Sequence, residues 1–89
     1  MEEVKTGNRL SELHENGVGF LFNDVRHDNS YGVWGTLHKA NCQWLTKMNI
    51  NDRWSTKYWF PTREEARRWI HKQYDFKGRK SRDCIACNP

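Results

Sequence analysis

Residues 58–72 read YWFPTREEARRWIHK, and this stretch decides the fold. Its aromatic run ends at Pro61, which stops a strand and fixes the direction in which the chain leaves it. Thr62 is a good N-cap, and Glu65 follows three residues later, the spacing of a capping box. Glu64 and Glu65 lie where the helix dipole favours negative charge. Ala66, Trp69, Ile70 and Tyr74 then recur at helical spacing, so the sequence predicts a helix over 62–74 with that stripe buried. Arg63, Arg67, Arg68, His71 and Lys72 fall on the outer side, solvated or turned toward a second acidic partner.

Upstream, four runs rich in aromatic and β-branched residues read as strands: VGFLFNDV (18–25), YGVWGTLH (31–38), CQWLTKMNI (42–50) and WSTKYWF (54–60). HDNS, KAN and NDR between them carry turn chemistry. Connections this short favour an antiparallel meander. The glycines of the second strand suggest a bulge or a close backbone approach. Residues 1–8 are polar and expected to fray. In NRLSELHENG, Leu10 and Leu13 are three apart and Gly17 can stop a short helix in the left-handed conformation. The expected fold is a single α+β domain over 1–89: an antiparallel three- or four-stranded β-meander packed against one C-terminal α-helix. Its parts are a polar N-terminal segment with a short helix (1–16), the sheet (17–60), the helix (62–74) and a basic, Cys-containing tail (75–89).

The chain has 89 residues, five of them tryptophan, and a mean hydropathy of −1.05. Aliphatics are scarce, so rings must fill the core of so small a domain. Residues 1–44 hold four Lys/Arg against six Asp/Glu, and residues 45–89 hold eleven against five. A basic C-terminal half suits an acidic partner. No apolar run is long enough to span a membrane and no signal-peptide pattern opens the chain, so no membrane partner is expected. With an odd count of three cysteines and no secretory signal, the expectation is a cytoplasmic protein without a disulfide framework.

One helix covers one face of a sheet, which leaves the other face for a partner. Strand alternation puts Trp54, Tyr58, Phe60, Trp44, Val33 and Leu37 inward. It puts Trp34, His38, Gln43, Lys47, Arg53, Lys57 and Trp59 outward, with Thr36 and Ser55 beside them. Cations, amides, hydroxyls and two rings on one face suit nucleic acid: cations neutralise phosphates, amides and arginine reach base edges, and rings stack on bases. A one-residue slip would exchange the two faces.

Three strands followed by a packed helix, Gly32-Val33, a central Trp44 and FPTREEA at 60–66 resemble the AP2/ERF-like DNA-binding domain and the arm-binding domains of phage integrases. The resemblance covers about residues 31–74. Phe60, Thr62, Glu64, Glu65 and Ala66 match the family's Phe-x-Thr-x-Glu-Glu-Ala junction. It implies a sheet laid in the major groove of double-stranded DNA, with Arg53, Lys57 and Lys47 as contact candidates and a phage or mobile-element regulator as the setting.

His38-x3-Cys42 and Cys84-x2-Cys87 together offer four soft ligands for zinc, and a zinc-docked tail would reinforce a small core. Against this, alternation puts His38 and Cys42 on opposite faces unless the intervening turn reorients one. Cys84 and Cys87 could equally be a redox pair or idle thiols, so zinc stands beside the expectation of no cofactor. His14, His27 and His71 lack a nucleophile or carboxylate constellation, and no phosphate-binding glycine loop occurs, so no enzyme is expected. The alternative to nucleic acid is a host protein, bound and inhibited or redirected through a Trp/Arg-rich surface.

Overall fold

The junction expected at Thr62 forms. In the computed structural model, which describes residues 1–25, 35–47 and 55–89, the Thr62 hydroxyl accepts a hydrogen bond from the Glu65 N–H at 3.2 Å. Helix α2 (Arg63–Gln73) begins there. Before it come β1 (Glu2–Val4), α1 (Gly7–Asn16), β2 (Phe20–Val25), β3 (Gly35–Lys39) and β4 (Ser55–Phe60), and after it β5 (Ser81–Asp83). Two 3-10 turns span Gln43–Lys47 and Asp75–Lys77.

The strands form one sheet in the order β1-β4-β2-β3-β5. Every pair is antiparallel except β3–β5, which is parallel. The class is α+β as expected, and the C-terminal helix packs on the sheet. Two differences lie at the ends of the chain. Residues 1–8, expected to fray, contribute β1, with Glu2 paired to Trp59 and Val4 to Lys57. The tail contributes β5, with Thr36 paired to Arg82.

These end strands turn a meander into two crossovers, β1-α1-β2 and β4-α2-β5. Each joins strands that run the same way, and the two pairs run in opposite directions. Such connections are right-handed in nearly all proteins, so two crossovers of opposite direction place their helices on opposite faces. Packing agrees. Ala66, Ile70 and Tyr74 of the α2 side bury against Phe22, Leu37 and Phe60, with Trp69 and Tyr58 packed on them. Leu10 and Leu13 of α1 bury against Val4, Leu21 and Leu45. Leu21 and Phe22 are neighbours in sequence and serve opposite cores, as the two-residue period of a strand requires.

The α2 core is built of rings. The Trp69 centroid lies 4.9 Å from Tyr58, 5.6 Å from Phe22 and 5.7 Å from Phe60. Tyr74 is fully buried; its hydroxyl donates to Asp24 Oδ1 on β2, and Arg79 stacks 4.4 Å from its ring centroid. Gly35 is required by this packing: a Cβ there would overlap the Phe22 ring and sit 2.6 Å from the Tyr74 oxygen. This is the close approach suggested for the second strand. Gly17 ends α1 in the left-handed region at φ 68°, as its position predicts.

The third strand expected over 42–50 is absent from its described part. Gln43–Lys47 is a 3-10 turn. Its three-residue period puts Cys42 and Leu45 on one side, and both are buried. Trp44, expected in the core, is 47% exposed instead.

Candidate metal centre

β3 carries His38 on the α1 face of the sheet, opposite Leu21. The chain then turns: Ala40 N–H bonds to the Gly19 carbonyl at 3.0 Å, and Cys42 N–H to the Lys39 carbonyl at 3.0 Å. This turn breaks the strand alternation that would have parted His38 from Cys42 and swings the cysteine back under the histidine. His14 of α1 fixes the corner, its Nε2 donating to the Cys42 carbonyl at 3.1 Å.

The tail reaches the same place from the sheet edge. Beyond β5, Cys84 N–H bonds to the Leu37 carbonyl at 2.8 Å, and Asn88 N–H closes a turn onto the Cys84 carbonyl at 2.9 Å. Cys87 is thereby held under β3, where its Sγ accepts from the Lys39 N–H at 3.2 Å. Ligand atoms of His38, Cys42, Cys84 and Cys87 all lie within 4.8 Å of one another. His38, Cys42 and Cys84 are buried and Cys87 is partly so. The cluster can hold a metal ion.

Three features fit zinc. A tetrahedron with Zn–S bonds of about 2.3 Å has S···S edges of about 3.8 Å. Cys42 Sγ and Cys84 Sγ are 3.8 Å apart, and all three cysteines are free thiols. Backbone N–H groups also point at the sulfurs: those of Cys87 and Ala86 at Cys84, and that of Trp44 at Cys42. N–H donors of this kind stabilise thiolates and orient ligands. Finally, His38 Nδ1 is buried without a hydrogen-bond partner among the described residues, a cost that coordination at the ring would offset.

The electrostatics agree. Burial, with Arg82 nearby, pulls the His38 pKa down to about 4, so the imidazole is neutral and able to ligate at neutral pH. Burial pushes the Cys42 thiol up to about 12, against the Trp44 N–H and assisted by the neighbouring thiols. Burial also opposes ionisation of Cys84, but the Cys87 and Ala86 N–H groups and the two thiols outweigh it, and its pKa falls. A divalent cation would supply the charge that burial withholds from Cys42.

The residues expected to read nucleic acid do not share an open face. Lys57 is 3% exposed, with its Nζ 2.9 Å from Ser55 Oγ, and His38 is 5% exposed within the cluster. Trp59 packs on the α1 core, and its Nε1 donates to the Val18 carbonyl at 2.9 Å. The physical reason is the second layer: α1, the Gln43–Lys47 turn and the tail lie over this side of the sheet. Gln43 is exposed on that turn. Trp34, Arg53 and the Lys47 side chain lie outside the described residues. Asn23 and Arg82 carry no signal in the sequence, and His14 shows there only as a histidine without a catalytic constellation, because only tertiary pairing brings the three to the site. Among the described residues, no helix is long and apolar enough to cross a membrane.

Comparison with known protein families, with curated proteins and with solved structures yields no match for the chain.

Proposed function

We propose that this protein is a zinc-clasped, non-enzymatic nucleic-acid-binding module. The carrying observation is the quartet His38, Cys42, Cys84 and Cys87 within 4.8 Å. Four protein ligands complete a tetrahedron and leave no position for a substrate or an activated water, which is the pattern of a structural site. Zinc there would tie the tail to β3 and the Gln43–Lys47 turn, joining segments far apart in sequence. The tail it fixes is basic, with Lys77, Lys80 and Arg82 all exposed. Together with the net charge of +4, this supports an acidic polymer as partner. The junction residues that resemble the AP2-like family act here as core, cap and first helical turn. The sheet face which that family uses is largely covered, so the proposed contact moves to the clasp and tail.

Protein purified without chelator should carry one zinc per chain by elemental mass spectrometry. Cys84→Ser should lose it, and cobalt substitution should give thiolate charge-transfer absorbance. Nucleic-acid affinity should fall linearly with the logarithm of salt concentration. A metal-free protein whose far-ultraviolet circular dichroism ignores added zinc would refute the clasp. An affinity for nucleic acid that is absent at low salt would refute the partner.

A further inference from the structure

Beside the metal quartet lies a cleft of about 370 Å³, lined by Asn23, Thr36, Trp44, Arg82 and Ile85, with His38, Cys84 and Ala86 completing its wall. Sheet register explains its polar side. Asn23 pairs with Thr36 across β2–β3, and Thr36 pairs with Arg82 across β3–β5. The three residues form one rung on one face of the sheet, roughly 10 Å from end to end at the usual strand spacing. The apolar side comes from the two segments the quartet draws together: Trp44, 47% exposed, follows Cys42, and Ile85, 89% exposed, follows Cys84.

We infer that this cleft is a nucleobase pocket for single-stranded nucleic acid. The inference rests on the nucleic-acid reading above and names its site. Its volume is near the lower end of small-ligand pockets, enough for one base and too narrow for a duplex. Trp44 and Ile85 supply the apolar surfaces between which a base stacks. Thr36 and Asn23 supply hydroxyl and amide groups for the base edge. Asn23 lines the cleft, and its Oδ1 is a buried acceptor without a partner among the described residues. Arg82, exposed at the far end of the rung, is placed for the phosphate. No lining residue is a carboxylate, and Arg82 brings a positive charge to the cleft. Bases in a duplex are stacked and paired, whereas a single strand can offer one sideways into a concavity.

The test is fluorescence anisotropy on the zinc-loaded full chain with a labelled oligonucleotide of about 15 nucleotides, single-stranded or annealed to its complement. The single strand should bind at least about tenfold more tightly than the duplex. Trp44→Ala should weaken it by about 5- to 150-fold, the range for loss of one stacked base. Arg82→Ala should weaken it and reduce the salt slope by about one. Arg68→Ala, on the opposite face, should leave the preference for single strand intact. Zinc content and circular dichroism of each variant establish that it folds. Duplex bound as tightly as single strand, or an unchanged affinity in folded Trp44→Ala, would overturn the pocket while leaving the nucleic-acid reading standing. No binding to either form at low salt would overturn both, and would leave the cleft to a protein partner.

Discussion

Replacing Trp69 by alanine tests the ring-built core directly. A tryptophan buries about 150–250 Å². Trp69 is partly exposed, so roughly a third of that is set aside, leaving about 100–170 Å². At about 25 cal/mol per Å² this is ~3–4 kcal/mol of lost burial. The indole also meets Tyr58, Phe22 and Phe60 within 5.7 Å, which adds on the order of 1 kcal/mol. A domain of this size is stable by roughly 4–13 kcal/mol in total, so the variant should lose a third of that or more. Urea unfolding followed by circular dichroism measures the change, with zinc held equal between the two proteins. The melting temperature should fall by roughly 15–40 °C. A loss under about 1 kcal/mol would mean that Trp69 is not the hub of this core, and that α2 is held by something other than its ring contacts.

Two further outcomes follow from the same core. Burial first, and then the hydrogen bond to Asp24, raise the Tyr74 pKa above its usual 10.0. An acid whose folded pKa is raised keeps its stabilising contribution below the unfolded value and loses it as the pH climbs above, because the unfolded chain then sheds the proton more readily. Stability should therefore decline above about pH 10, with phenolate absorbance from Tyr74 appearing only as the protein unfolds, and Tyr74→Phe should flatten that decline. Phenolate absorbance from Tyr74 in the folded state at pH 10 would contradict its burial. Gly35→Ala should cost about 1–3 kcal/mol in the same urea assay, because the new methyl meets the Phe22 ring and the Tyr74 oxygen; an unchanged midpoint would show that this approach is looser than described.

How far these features were legible in the sequence depends on the range of the interactions behind them. The Thr62 cap, the α2 stripe and the Gly17 stop are set by residues three or four apart, and each is where local pattern puts it. The strands Phe20–Val25 and Ser55–Phe60 follow from runs of aromatic and β-branched residues bounded by turn chemistry. β1 and β5 have three residues apiece and exist only through partners far away in the chain, so local patterning has nothing to register. Missing them hid the second layer, and with it the burial of Lys57 and Trp59. The Gln43–Lys47 turn was obscured because Trp44 and Leu45 suit strands by propensity, while the three-residue spacing of Cys42 and Leu45 was the only sign of 3-10 geometry. The quartet was half visible: its residue types and short spacings were plain. Its assembly depended on the turn after Lys39 and on a strand pairing between β3 and β5 that no spacing reveals.

β5 occupies an edge of the sheet that β3 would otherwise present to the surroundings. A bare edge of unpaired N–H and C=O groups is a template on which a second chain can lay its own strand. β5 is too short to hold this position by its ladder alone, and Cys84, immediately after it, belongs to the quartet. A zinc ion there would thus police self-association as well as fold. Stripped of metal, or cut ahead of Ser81 with the loss of Cys84 from the α1 core, the chain would keep its ring-built core yet expose the Gly35–Lys39 edge. The first symptom would then be strand exchange between copies.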